Sequence, residues 1–115
     1  MIQDLDEARI ARLETLLGAE RLGGLLGVLA QRLEHLAARA CDWPDAADDV
    51  RFLVHQSLGS ARSLGLAGLA EGLDALEQRL DGEGGVTAAD LFVEVGLCAE
   101  RFAVGARLIE VRFKS

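Results

Sequence analysis

The feature that most constrains this chain is a leucine seam. Leu66, Leu69, Leu73, Leu76 and Leu80 follow one another at alternating spacings of three and four. Only an α-helix brings such positions onto one side, and a side that apolar must be covered by neighbouring helices. A second stretch repeats the pattern, with Leu22, Leu25, Leu26, Leu29, Leu33, Leu36, Ala37 and Ala40 at i, i+3, i+4 and i+7. No segment alternates with the period of a strand, and there is no internal repeat. Half of the 115 residues are apolar and only one is proline. That suits one helical domain over residues 1–115, large enough to bury a core without covalent staples.

Caps and breakers place the other elements. A short first helix over 4–17 takes Asp4 as its cap, with Glu7 three residues on. Leu5, Ile10, Leu13, Leu16 and Leu17 are its stripe, Gly18 ends it, and it is expected to lie across the others as a lid. The second helix spans 19–41, and Gly23, Gly24 and Gly27 make its first half dependent on packing. Asp42, Trp43, Pro44 and Asp45 form a turn; Pro44 stops one helix and Asp45, with Asp48, caps the next, which spans about 46–62. Ser63, Leu64 and Gly65 break it, the leucine seam carries a fourth helix to about Leu80, and 81–85 is the flexible loop. Thr87 with Asp90 opens the last helix, which reaches about Phe113 and draws its core side from Leu91, Val95, Cys98, Phe102 and Ile109.

Val93, Leu97, Val104 and Val111 widen that last apolar face beyond one seam. Burial deeper in the fold is the expectation, and self-association is the other reading. Short connections make successive helices antiparallel neighbours. The predicted fold class is therefore all-α, an up-down-up-down antiparallel four-helix bundle with a short additional N-terminal helix.

The net charge of −7, with Lys114 the only lysine, argues against nucleic acid, which selects a basic face. No run approaches the roughly 18 uninterrupted apolar residues of a membrane span. The acidic start around Asp4, Asp6 and Glu7 lacks an apolar signal core. Cys41 and Cys98 have neither metal nor redox spacing and are expected to be reduced core residues. A cytoplasmic monomer is expected, with a dimer through the last helix as the alternative.

His55 is the residue with chemistry to offer. The apolar arc of its helix is Val50, Leu53, Val54, Ser57 and Ala61, and at about 100° per residue His55 falls almost opposite the middle of that arc. Asp48, Arg51, Gly59 and Arg62 share its face, with Phe52 and Leu58 at the flanks. Gly59, one turn on, costs the helix about 1 kcal/mol relative to Ala but lets a large partner approach the ring. A neutral imidazole is a good nitrogen nucleophile toward an activated phosphoryl group. On spacing alone, a surface histidine beside a helix-packing glycine is the simpler account. The rivals are poorer. His35 is a solvated side chain, Glu34 and His35 lack the helical spacing of a metal pair, and neither cysteine has a nearby partner in sequence. The glycines of 81–85 lack the Lys-Ser/Thr and the preceding strand of a phosphate loop.

From Leu5 to about Leu80, roughly two-thirds of its length, the chain resembles the histidine-containing phosphotransfer (Hpt) domains of multistep His–Asp phosphorelays. The resemblance rests on His55, Gly59, Ser60, the Leu64-Gly65 pair and Leu76-Glu77. The Asp42-Trp43 turn and the Leu16-Leu17-Gly18 helix end are also similar to the family. It implies that His55 takes a phosphoryl group on its outer ring nitrogen from a receiver-domain aspartate, within a relay headed by a hybrid histidine kinase, and passes it to another. It further implies that Glu77 hydrogen-bonds the inner nitrogen and that Phe52, Leu58 and Gly59, with neighbours from the second helix, form the docking surface. The Mg²⁺ and the aspartate belong to the receiver, so no cofactor and no autonomous enzyme activity are expected. The chain departs from the family at Leu58, where a lysine is usual, and at Ser57, where a leucine is usual. Arg51 and Arg62, within about 40° of His55 around the helix, are the candidates to stabilise the phosphoryl group instead. Leu58 also suggests the alternative, an adaptor that binds a kinase or receiver without carrying phosphate.

Overall fold

The computed structural model describes residues 4–82 and 85–114. Among them are four helices and no strand: α1 (Glu7–Ala40), α2 (Ala47–Ser63), α3 (Ala67–Asp81) and α4 (Ala88–Lys114). The loop expected over 81–85 is only partly described, since Glu83 and Gly84 lie outside the described residues, as do residues 1–3.

Each helix touches two others: α1 lies against α2 and α4, and α3 lies against the same two. The stripes meet between them. Leu22, Leu29 and Leu36 of α1, Val50 and Val54 of α2, Leu69, Leu73 and Leu76 of α3, and Leu91 and Ile109 of α4 are all essentially inaccessible. Each such side chain contributes about 1.5–3 kcal/mol relative to exposure. The α3 seam is buried along its whole length, from Leu66 to Leu80.

The two segments expected as first and second helices meet end to end inside α1. Gly18 is the joint: at φ 79° and ψ 166° its backbone is not helical, so it ends the first segment, as expected, and the second starts anew across a kink. Asp6, not Asp4, is the cap, accepting from the Arg9 amide at 3.1 Å. Asp4 is engaged elsewhere: its carbonyl accepts from Gly68 N, while Asp6 N donates to Gly65 O, so this entry segment is tied to the α2–α3 turn. That turn ends α2 through Leu66 N to Ala61 O and Gly65 N to Arg62 O, the paired bonds of a Schellman motif, with Gly65 at φ 75°. Ile10 closes over it so tightly that a Cβ on Gly65 would lie 2.9 Å from Ile10 Cδ1.

Three further expectations change. α2 begins at Ala47 after Ala46, with no side-chain cap, because residues 41–46 wind through a turn closed by Ala46 N to Asp42 O and Ala47 N to Pro44 O. This leaves Asp45 inside the turn. Leu25 and Ala37 are exposed, so the α1 seam is narrower than expected and runs through Leu22, Leu29, Leu33, Leu36 and Ala40. Val93, Leu97, Val104 and Val111 are not buried either. α4 packs only on α1 and α3, and the side facing away from both has nothing to cover it. The Thr87 cap is present, with Asp90 N donating to its hydroxyl at 3.0 Å. At the end of the bundle holding both connections, the Trp43 indole N–H donates to Val86 O at 2.8 Å, joining the α1–α2 turn to the segment before α4.

Candidate functional site

α2 presents opposite edges to the core and to water. Val50, Leu53, Val54, Ser57, Leu58 and Ala61 are buried, which leaves His55 on the outer side with its side chain 78% exposed. α3 runs alongside. Its seam residue Leu76 is buried, and the next residue, Glu77, therefore sits at the edge of the helix contact, 26% exposed. From there Glu77 Oε2 comes within 2.7 Å of His55 Nδ1. An ionised carboxylate only accepts, so Nδ1 carries the proton and donates it. In the neutral ring the lone pair is then on Nε2, the nitrogen directed away from Glu77.

Around this pair lies an open hollow of about 310 Å³, bordered by Arg51, Phe52, His55, Glu77, Leu80 and Asp81. The guanidinium of Arg51 donates from Nη2 to Leu80 O at 3.4 Å, near the C-terminal end of α3, and lies 3.8 Å from Asp48. Arg62 is placed differently. Its Nη2 is 3.7 Å from Asp74 and it borders another hollow, with Asp6, Arg9 and Gly65. Of the two candidate cations, Arg51 alone borders the hollow of His55.

Phe52 is 62% exposed and Gly59 is exposed, with open space where a Cβ would stand. Leu58 is a correction. It is 2% exposed, one turn after Val54 on the side of α2 that is sealed into the core, and its side chain has no surface to offer a partner. Its place at the surface is taken from α1: Leu25 and Val28, both nearly half exposed, flank a groove shared with Gln56, Gly59 and Ser60. Arg32 lines the same groove and donates to Ser60 Oγ. Sequence reasoning passed over Arg32, although it follows Val28 by one turn and so shares the α1 side that faces α2.

The cysteines separate. Cys98 is buried, and burial pushes its thiol up to about 11, partly offset by the Arg101 charge, so it stays protonated and a poor nucleophile. Cys41 is exposed, contrary to expectation, because it stands at the C-cap of α1 beyond the last core contact. His35 is exposed. Among the described residues no three His, Cys, Asp or Glu side chains are grouped to hold a metal ion, and no helix is long and apolar enough to cross a membrane. No family model matches the chain, and neither a curated protein nor a solved structure matches it.

Proposed function

We propose that this chain is a histidine phosphotransfer protein of a two-component His–Asp phosphorelay, carrying a phosphoryl group on His55 between receiver-domain aspartates. The observation that carries the proposal is the 2.7 Å contact between Glu77 and Nδ1 of an otherwise exposed imidazole. It holds the ring in the tautomer whose Nε2 lone pair faces out. In the forward step that lone pair attacks the phosphorus of a partner's aspartyl phosphate. The N–P bond forms, the P–O bond to aspartate breaks, and the carboxylate leaves with its electron pair. Reversal onto a second aspartate regenerates the free imidazole. Glu77 stabilises the positive charge that the ring gains during attack, as an orienting carboxylate does beside a catalytic histidine.

Arg51 is the cation placed to meet the incoming phosphoryl oxygens, after exchanging its bond to Leu80 O for them. Gly59 leaves room for the partner's loops. Phe52, Leu25 and Val28 provide apolar contact on either side. The Mg²⁺ is the receiver's, and a receiver and a hybrid histidine kinase are the partners, in the cytoplasm. The topology that goes with this role is an up-down-up-down antiparallel bundle in which residues 7–17, before the Gly18 bend, act as the short additional helix. The three-residue step from α2 to α3 supports the antiparallel arrangement of that pair.

An adaptor that docks a kinase or receiver without taking phosphate is the second reading. It is favoured by Leu58, whose burial removes the usual cation position, and by the engagement of Arg62 with Asp74. Incubation with a phosphorylated receiver domain separates the two. A carrier acquires an acid-labile, base-stable label that His55→Gln abolishes. Complex formation with no label would leave the adaptor standing and the carrier excluded.

A further inference from the structure

The apolar surface of this protein is unevenly distributed. Among the described residues ten large hydrophobic side chains are left exposed, of which six belong to α4 and none to α3. Val93, Leu97, Val104, Leu108 and Val111, 42% to 56% exposed, fall within about 60° of one another around α4. They make a stripe about 27 Å long on the side away from the core. Such a stripe on a monomer marks an association surface.

The charges beside the stripe say what covers it. Asp90 and Glu94 are paired with Arg79 of α3, and Arg112 with Glu7 and Glu14 of α1. Glu100 and Arg107 lie along the stripe and make no ion pair or hydrogen bond among the described residues. They are opposite in sign and seven residues apart, with Val104 near the midpoint. Leu97 and Val111 are centred on the same residue. One two-fold axis through Val104 therefore satisfies both sets. Two antiparallel copies of α4 would set each Glu100 against the other's Arg107, lay each Leu97 beside the other's Val111, and stack Val104 on itself. A parallel pair would oppose Glu100 to Glu100 and Arg107 to Arg107. A surface complementary to itself under a two-fold axis is an isologous interface.

We propose that a second copy of this chain covers the outer face of α4, in an antiparallel pairing centred on Val104. α4 makes no contact with α2, so both His55 faces stay open in the dimer. Neither the pairing nor its test rests on the phosphotransfer role.

Sedimentation equilibrium of the full chain over a concentration series tests it. The wild type is expected to be dimeric at micromolar concentration. Glu100→Arg and Arg107→Glu, each placing like charges together, should weaken the dimer at least about tenfold, and the double exchange should restore it. Val104→Asp should abolish it with helical circular dichroism unchanged. Should that variant fail to fold, the charge exchange decides alone, since both residues are exposed and unpaired. A wild type monomeric at about 1 mM, or a dimer indifferent to either reversal, or a double exchange no tighter than the single variants, would overturn the proposal.

Discussion

The outer faces of α2 and α4 sit on diagonal sides of the same bundle and are built on opposite plans. Both helices give one stripe to the core. On the remaining side, α2 carries His55, Arg51, Gly59 and Arg62, with Phe52 its one large exposed hydrophobic, whereas α4 carries valines and leucines flanked by Glu100 and Arg107, which are unpaired among the described residues. The polar face also takes a side chain from its neighbour, since Glu77 of α3 reaches His55. The ion pairs of α4 lie at its margins, where Arg79 and Arg112 join it to α3 and α1, and leave its middle bare. A bundle spends sequence on the core once per helix. What remains is free to differ, and here one outer face is polar and the other apolar, which is why the proposals made for them differ.

The strongest way to break this contrast is through the core that both faces share. Leu73 is fully buried in α3, and Leu73→Ala should cost about 2–5 kcal/mol by transfer and cavity terms. Chemical denaturation followed separately by helical circular dichroism and by phosphoryl uptake should show both lost in one transition. Two separated transitions would mean that the polar face belongs to an independently unfolding part of the bundle. A smaller effect isolates the polar face. Glu77→Gln keeps the shape but loses the anionic acceptor, and should slow phosphoryl uptake about tenfold, as expected for about 1.4 kcal/mol of lost orientation and charge stabilisation. Its self-association should match the wild type, and a matching rate as well would remove Glu77 from the mechanism.

The smallest change lies between the two faces. Ser57 is inaccessible on the core side of α2, and its hydroxyl has no hydrogen-bond partner among the described residues. Ser57→Ala should raise stability by about 1 kcal/mol, the desolvation cost recovered. A loss of stability in denaturant titration would show that the hydroxyl is satisfied after all.

Periodicity made much of this frame legible before any coordinates. The α3 seam, the break at Gly65 and the Thr87 cap depend on neighbours within a few residues in sequence, and those neighbours decide them. His55 could be placed opposite the core by angle alone. The pairing with Glu77 could not, because residues 22 apart on different helices have no fixed angular relation; it came from the resemblance to Hpt domains. Burial at the margins was illegible for a related reason. A helical wheel shows that Leu25, Leu58 and Leu97 adjoin an apolar stripe but not which flank another helix covers. Leu58 fell on the covered side, and Leu25 and Leu97 on the open one. Asp4 has the spacing of a cap in sequence, but its carbonyl is held by Gly68 N, a contact between segments far apart in sequence.

The indole bond at the connection end of the bundle has an experimental consequence. Trp43 is the only tryptophan, and the chain has no tyrosine. Its intrinsic fluorescence beyond phenylalanine therefore has a single source. That source is partly buried and fixed to Val86 O. The emission spectrum watches one joint, the meeting of the first and last connections, and not the whole fold. A shift toward the red marks the moment when that joint opens, whether or not the helices have yet come apart.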